Sequence, residues 1–322
     1  MDMIRWGMIG CGDVTEVKSG PAFQKVPGSS LVAVMSRNGK KAADWASRHQ
    51  VPRWYDDAQA LIDDPQVDAI YIATPPDSHM QYTEMAAKAK KPVYCEKPMG
   101  FSYEHATQMV QACKDAGVPL YSAYYRRALA KYVLIRKMLS DKVIGNVRAV
   151  TVLLHQKPMA EDRDGTGWRM KPEISGGGRF YDVACHALDL LDWYLGPITS
   201  ATGVSGRQEQ AYEGIDIVSG AWSFADGVQG SGLWVFNAWS DHDRVELIGD
   251  LGTIVFSVTN LAEPITLISE GETRTIGIPQ PPQHVAQPLI ESVVRALLGT
   301  GICPSTGESA KRTDWVMSQI IG

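Results

Sequence analysis

Two short segments of the sequence carry side chains suited to moving a proton at an alcohol oxygen. Glu96-Lys97-Pro98 ends an apolar run, and Asp182, His186 and Asp189 stand at i, i+4 and i+7, on one face of a predicted helix. Oxidation of an alcohol carbon needs a proton acceptor at the oxygen and a cation or hydrogen-bond donor to stabilise the developing alkoxide. A lysine and a histidine directed at one oxygen would supply both.

The same residue types also allow structural interpretations. A lone lysine at a strand end is usually solvated, and Asp182 with His186 can be a hydrogen-bonded pair in a core. A metal site on Asp182, His186 and Asp189 would need His155 to join them, which the spacing does not show. We therefore expect no metal.

A glycine-rich segment follows the first apolar run. In Gly7–Thr15, Gly10 allows a tight turn and Gly12 allows the backbone to approach a pyrophosphate, which the amino terminus of the next helix would bind. Thr15 stands where the third glycine of the dinucleotide fingerprint usually lies. The alternative is a glycine-rich turn without a ligand.

The residues after the second apolar run indicate which dinucleotide would bind. A carboxylate at this position would hold the ribose 2′-hydroxyl of NAD, but the sequence has Ser36, Arg37 and Asn38, followed by Lys40 and Lys41. A hydroxyl and several cations suit a 2′-phosphate, and an arginine can also stack on adenine. This composition favours NADP(H), with NAD(H) as the alternative.

The elements that would position these residues fall into two groups. Apolar runs alternate with helical patterns through residues 1–124, as in a doubly wound parallel sheet of the Rossmann type. Gly117 is suited to end the last helix of this part. The predicted strands are 4–10, 31–36, 69–74, 93–96 and 120–124, and the predicted helices are 40–49, 78–90 and 103–116.

Residues 125–322 have a different pattern and predict a substrate-binding and oligomerisation domain of the α+β class. A helix at 128–139, a strand at 146–156 and a helix at 181–195 precede a mainly β region that extends to about residue 277. Two helices, 284–298 and 307–321, close the chain. We expect a large open, mainly antiparallel sheet with helices on one face, and a homodimer or homotetramer through the other face.

Composition excludes several classes of protein. The chain has 322 residues, a net charge of −5 and no basic stripe, which argues against nucleic acid as a partner. The five cysteines are scattered and no apolar run is long enough to span a membrane. These features favour a cytoplasmic protein with a small-molecule substrate.

Four motifs, in order along nearly the whole chain, resemble one known family. They are ATPPDSH at 73–79, CEKP at 95–98, WR at 168–169 and GGG-x3-D-x3-H-x2-D at 176–189. The sequence resembles the glucose–fructose oxidoreductase/inositol dehydrogenase (Gfo/Idh/MocA) family, in particular its NADPH-dependent 1,5-anhydrofructose reductase branch. The resemblance implies an NAD(P)-dependent oxidoreductase that transfers a hydride between nicotinamide and a carbinol or carbonyl carbon of a sugar, inositol or related small substrate.

The resemblance also implies roles for individual residues. His186 would donate or accept the proton at the reacting oxygen, and Lys97 would polarise that oxygen or share the proton. Asp182 would lie beside them as the third catalytic residue. Substrate would contact these three together with Arg169. Apart from the resemblance, Arg127 is expected near the substrate because it follows the last predicted strand of the first domain, and the stretch 156–173 is expected to help read the substrate hydroxyl groups. The expected cofactor-binding residues are Gly10, Gly12, Asp13, Val14, Ser36, Arg37, Lys41, Ala73, Thr74, Pro75, His79, Glu96, Lys97, Trp168 and Arg169.

Two other functions stay open at this point. The family includes glycosidases in which a tightly held nicotinamide oxidises and re-reduces the same sugar, with the same lysine and histidine. A non-catalytic NADP(H)-binding redox sensor would need the glycine-rich fingerprint but not Lys97, Asp182 and His186.

Overall fold

The computed structural model describes residues 2–160, 167–208 and 214–322. The chain divides into two compact units. The first consists of Met1–Ala128 and Pro282–Lys311, and the second of Leu129–Pro281 and Arg312–Gly322. This division differs from the two contiguous segments, 1–124 and 125–322, that the sequence pattern predicts.

A six-stranded parallel sheet forms the centre of the first unit. The spatial order β3-β2-β1-β4-β5-β6 changes direction between β1 and β4, which is where doubly wound sheets place their ligands. The central strands are buried, as expected of runs that are apolar on both faces. The strands are β1 (Ile4–Ile9), β2 (Ser29–Met35), β3 (Arg53–Tyr55), β4 (Ala69–Ile72), β5 (Val93–Cys95) and β6 (Leu120–Ser122).

Local sequence signals set the ends of the helices in this unit. The Asn38 side chain accepts from Lys41 N at the start of α3, and the Ser102 side chain accepts from His105 N at the start of α6. Gly117 ends α6 in the left-handed conformation, as predicted. The helices are α1 (Asp13–Val17), α2 (Ala22–Lys25), α3 (Gly39–Arg48), α4 (Ala58–Asp63), α5 (His79–Lys88) and α6 (Tyr103–Ala116).

Residues 282–311 belong to the first unit because their helix completes its core. Helix α10, Gln287–Leu297, buries Leu289, Ile290 and Val293 in the same apolar cluster as Trp6 of β1. Burial of such a stripe is the main source of stability for an amphipathic helix. A pattern of local hydrophobicity predicts this helix but not the core against which it packs.

The second unit is built on an open sheet of eight strands. Its order is β14-β13-β12-β11-β7-β10-β9-β8, and every described pair is antiparallel except β7 with β10. The strands are β7 (Val147–His155), β8 (Ile198–Gly206), β9 (Ile217–Phe224), β10 (Gln229–Val235), β11 (His242–Gly249), β12 (Thr253–Phe256), β13 (Ile265–Ser269) and β14 (Glu272–Ile276).

The two faces of this sheet differ in burial. Val152 and Trp234 are buried on one face, where Phe180 contacts Trp234 edge to face with ring centroids 5.1 Å apart. Leu153 and Leu233 point to the other face and are exposed. The predicted open sheet with helices on one side is therefore confirmed. Among the described residues, the helices of this unit are α7 (Ala130–Ser140), α8 (Pro172–Ser175) and α9 (Gly178–Leu195), and α11 (Gly307–Ile321) begins in the first unit and ends in the second.

Among the described helices, none combines the length and the apolar character that crossing a lipid bilayer requires.

Candidate active site

The glycine-rich loop lies at the carboxyl end of β1, against the end of β4. Gly10 has φ +107°, and a Cβ atom there would lie 2.6 Å from the carbonyl oxygen of Ala73. Only glycine fits this combination of positive φ and close approach. At Gly12 a Cβ atom would meet only Ala73 O, at 4.0 Å, so this part of the loop is open to an approaching group. The loop therefore fits the backbone-mediated binding of a pyrophosphate.

Thr15 occupies the position of the third fingerprint glycine without distorting the loop. Its side chain is fully buried, and its hydroxyl donates to Gly12 O at 2.6 Å. After α1 the chain is tightly packed at Gly20, where a Cβ atom would lie 2.2 Å from Thr15 O and 2.6 Å from the Trp45 ring. The substitution at position 15 is thus compatible with the dinucleotide-binding fold.

Cys11 contributes its backbone to the loop and a protonated thiol to the core. The thiol is buried and donates to Met35 O at 3.6 Å. Burial raises the pKa of Cys11 to about 11, while the positive charge of Lys41 acts in the opposite direction.

The end of β2 presents a hydroxyl and cations, as the sequence predicts. Ser36 Oγ accepts from Asn38 N at 3.3 Å, and the Asn38 side chain caps α3. Arg37 and Lys41 are exposed around this cap. Asn38 therefore organises the turn, which leaves the two cations available to a ligand.

Lys97 follows β5 and stands next to an anchored carboxylate. Glu96 Oε1 accepts from the Tyr71 hydroxyl at 2.7 Å, and Oε2 accepts from Lys97 N at 3.2 Å. The Tyr71 hydroxyl also lies 2.9 Å from Ser19 Oγ. Burial raises the pKa of Tyr71 well above its usual range, and the charge of Glu96 acts in the same direction, so Tyr71 stays a hydrogen-bond donor. Glu96 is 9% exposed, and this carboxylate holds the Lys97 segment onto the sheet.

His79 differs from the expectation that it lines the cofactor cleft. Its side chain has no exposed surface, and its ring nitrogens contact the carbonyl oxygens of Thr74, Pro98 and Met99. The ring joins the ends of two strands, so its contacts are with the protein backbone. Thr74 and Pro75, which precede it, are partly exposed.

In the second unit, the structure brings three predicted site residues together. Arg169 Nε donates to Asp182 Oδ2 at 2.7 Å, and the Arg169 guanidinium lies 4.7 Å from the centre of the Trp168 ring. Gly178, at the start of α9, has φ +63° and would place a Cβ atom 3.3 Å from Arg169 O. The glycine run thus lets the Trp168–Arg169 turn approach the helix that carries Asp182.

His186 lies one turn after Asp182 on α9 and is 7% exposed. Asp189, on the same face, is 1% exposed. Across the described ranges, no three histidine, cysteine, aspartate or glutamate side chains are arranged to hold a metal ion, and Asp182, His186 and Asp189 form no such group. His155, the further ligand considered from the sequence, uses Nδ1 to contact Ser240 O at 2.8 Å.

Arg127, expected at the substrate, is located in the interior of the first unit. It is 3% exposed and donates to Pro304 O at 2.8 Å. Its guanidinium helps to hold the 282–311 segment, which explains its burial. Part of the stretch 156–173, namely 161–166, lies outside the described residues.

The sequence interpretation missed two partners of the predicted residues, Tyr71 for Glu96 and Asp182 for Arg169. A signal for the first exists, because Tyr71 places a hydroxyl inside an otherwise apolar strand, and a buried hydroxyl needs a partner. For the second pair, the sequence gives two suitable charges but no geometry.

Two family models match the chain. The model described as "Oxidoreductase family, NAD-binding Rossmann fold" covers residues 4–124, and the GFO/IDH/MocA C-terminal domain covers residues 132–255. Oxidoreductase P35 of Formosa agariphila is 40% identical over 321 residues, which are 99% of this chain and 98% of that protein. The 1,5-anhydro-D-fructose reductase of Ensifer adhaerens is 27% identical over 95% of this chain and 92% of its own length.

Solved structures share the fold. A levoglucosan dehydrogenase in complex with NADH and levoglucosan has a TM-score of 0.87 at 21% identity, over 98% of this chain and 96% of its own. An aldose–aldose oxidoreductase of Caulobacter crescentus, complexed with glycerol, has a TM-score of 0.84 at 24% identity, over 99% and 96% of the two chains. The family predicted from the four sequence motifs is confirmed: the chain belongs to the Gfo/Idh/MocA family of NAD(P)-binding oxidoreductases.

Proposed function

We propose that this oxidoreductase transfers a hydride between NADP(H) and an alcohol or carbonyl carbon of a sugar or cyclic polyol. The observation that carries the proposal is the anchored position of Lys97 at the carboxyl end of β5, in a unit whose glycine-rich loop is open at Gly12. The names of the relatives, an anhydrofructose reductase and a levoglucosan dehydrogenase, support this substrate class.

The first unit provides the groups that would hold the dinucleotide. The backbone of Gly10–Val14 would bind the pyrophosphate, and Ser36, Arg37 and Lys41 would bind a 2′-phosphate. The segment Ala73–Pro75, adjacent to Gly10, would flank the bound cofactor. When bound, the nicotinamide supplies or accepts the hydride.

Side chains of this protein would transfer the proton at the reacting oxygen. We assign Lys97 to polarise or protonate that oxygen and His186 to carry the proton. Asp182, whose Oδ2 accepts from Arg169, would contact a substrate hydroxyl or orient His186, and Trp168 would hold the Arg169 guanidinium by its ring. Loss of a single donor at a developing oxyanion costs about 10²–10³ in rate in comparable enzymes.

Oligomerisation is part of the same proposal. Leu153 and Leu233 lie side by side on one face of the eight-stranded sheet and are exposed in one chain. We propose that a second copy of the chain covers this face, as a homodimer or within a homotetramer.

A substrate panel tests the proposed reaction. Sugars, inositols and α-dicarbonyls are incubated with NADP⁺ or NADPH, and the absorbance of the reduced nicotinamide is followed. We expect turnover with a subset of sugars or polyols, and a loss of about 10²–10³ in kcat for Lys97→Ala with NADPH binding retained. Lys88→Ala, which removes an exposed lysine of α5, is the matched control.

Three results would contradict the proposal. NADPH binding without oxidation of any compound would indicate a sensor. Glycoside cleavage without net formation of reduced cofactor would indicate the hydrolytic reaction. Normal turnover of Lys97→Ala would remove Lys97 from the mechanism.

A further inference from the structure

The buried imidazole of His79 spans the ends of two neighbouring strands in the first unit. His79 is the first residue of α5, directly after the turn that follows β4. Its Nε2 lies 2.8 Å from Thr74 O, and its Nδ1 lies 3.1 Å from both Pro98 O and Met99 O. One side chain therefore contacts the segment after β4 and the segment after β5.

Lys97 lies between two anchors on its own segment. On the amino-terminal side, Glu96 is held by the Tyr71 hydroxyl, and Glu96 N donates to Ile72 O at 2.8 Å. On the carboxyl-terminal side, the carbonyl groups of Pro98 and Met99 face His79. The backbone on both sides of Lys97 is therefore held by contacts with other parts of the first unit.

The chemistry of the ring explains why a histidine is suited to this position. Carbonyl oxygens only accept hydrogen bonds, so the ring nitrogen that carries the proton donates, and only a ring protonated on both nitrogens donates to both segments. Nδ1 and Nε2 project in different directions, and a single imidazole can therefore contact both the segment after β4 and the segment after β5. Burial lowers the pKa of His79, and the carbonyl contacts act in the opposite direction.

We infer that His79 is a positioning residue for Lys97, acting through the Pro98 and Met99 carbonyl groups rather than by contact with cofactor or substrate. The inference rests on the role proposed above for Lys97. A misplacement of about 1 Å in a reacting group can cost about 10²-fold in rate, so the loss of this anchor lowers kcat.

Two amide substitutions separate the two sides of the ring. The amide nitrogen of asparagine lies near the position of Nδ1, so His79→Asn keeps a donor towards Pro98 and Met99. The amide nitrogen of glutamine lies near the position of Nε2, so His79→Gln keeps a donor towards Thr74. We expect His79→Gln to lower kcat by about tenfold to hundredfold with little change in NADPH affinity. His79→Asn retains most of the wild-type kcat.

The control is Thr83→Val, an isosteric change at a fully buried side chain one turn further along α5. It replaces a hydroxyl by a methyl group in the interior of the same helix and leaves the His79 ring in place, and kcat is expected to stay at the wild-type value. Thermal unfolding of each full-length variant establishes that the kinetics are measured on folded protein. Equal losses of kcat in His79→Asn and His79→Gln, in proportion to lost thermal stability, would show a purely structural role and overturn the inference.

Hydrogen–deuterium exchange of the peptide covering residues 96–101 gives a readout that does not depend on turnover. We expect faster exchange there in His79→Gln than in His79→Asn or the wild type. Unchanged exchange in His79→Gln, or faster exchange with unchanged kcat, would overturn the positioning role. A wild-type protein that turns over no substrate but shows the expected exchange pattern would contradict the proposed function alone.

Discussion

At the scale of single residues, cofactor preference is assigned to the exposed cations after β2. Arg37 and Lys41 flank the Asn38 cap, and no carboxylate occupies the position that would bind a ribose 2′-hydroxyl. We predict that Arg37→Asp shifts the preference from NADPH towards NADH. A hydrogen bond to a charged group contributes about 1.5–3 kcal/mol, so the ratio of the two dissociation constants should change by about 10- to 100-fold.

Fluorescence titration of both reduced cofactors measures this ratio. Lys114→Asp makes the same change of charge at an exposed position on α6 and should leave the ratio as it is in the wild type. The assignment of Arg37 to a 2′-phosphate is wrong if the Arg37→Asp ratio also stays at the wild-type value.

The site residues that the sequence identifies are those whose role depends on close neighbours in the chain. Gly10 and Gly12 are recognisable because a tight turn between a strand and a helix needs them within a few residues. The contacts of His79 with Met99 and of Tyr71 with Glu96 span 20 and 25 positions. They depend on the alignment of adjacent parallel strands, which no local pattern specifies.

At the scale of elements, α1 and α3 are joined by an ion-pair cluster beside the glycine-rich loop. Arg48 Nη1 and Nη2 donate to the two Glu16 oxygens at 2.7 and 2.9 Å, and His49 Nε2 lies 2.8 Å from Glu16 Oε2. The Arg48 hydrogen bonds, and after them the His49 contact, lower the pKa of Glu16 from 4.5 to about 2, against the opposing effect of burial. Glu16 thus remains ionised in the folded protein at pH values where the unfolded chain takes up a proton.

The direction of the pH effect follows from this lowered pKa. Between pH of about 2 and 4.5 the unfolded chain binds more protons at Glu16 than the folded protein does. The stabilisation is complete above pH 4.5 and is lost as the pH falls towards 2. We predict that Glu16→Gln lowers the free energy of unfolding at pH 7 by about 1 kcal/mol or less, because the pair is partly exposed.

Urea unfolding at pH 7 and at pH 3 tests this prediction. The difference between the wild type and Glu16→Gln should shrink at the lower pH, whereas Glu84→Gln, at an exposed position on α5, should differ little from the wild type at either pH. An equal difference at both pH values would mean that the Glu16 charge does not act through this cluster.

The accuracy of the predicted elements depends on their length and burial. Helix α6 is predicted with its observed bounds because apolar periodicity, an amino-terminal serine and Gly117 all agree. Strand β3, Arg53–Tyr55, is missed because it has three residues and lies at the sheet edge, where no apolar run is required. The start of α9 is predicted at 181 and observed at Gly178, since glycine residues weaken the helical signal.

At the scale of the whole molecule, one face of the eight-stranded sheet carries exposed leucine side chains. Leu153 of β7 pairs with Leu233 of β10 at the centre of that sheet, and both side chains are more than a third exposed. If two copies meet through this face about a twofold axis, each Leu233 lies close to the same patch of its partner. A charge introduced there would be buried opposite a like charge.

We predict that Leu233→Glu converts the oligomer into single chains without unfolding them, because the side chain is partly solvated in one chain. Light scattering coupled to size-exclusion chromatography measures the mass, and circular dichroism checks the fold. Ile302→Glu places the same charge on an apolar side chain that is 88% exposed in the first unit, and it should leave the mass unchanged. A wild-type protein that is already a single chain would show that no such contact forms. A Leu233→Glu variant that keeps the wild-type mass would show that the contact lies elsewhere. A loss of turnover in the single chains would indicate that the partner copy supports the substrate side of the site, whereas retained turnover would assign catalysis to one chain.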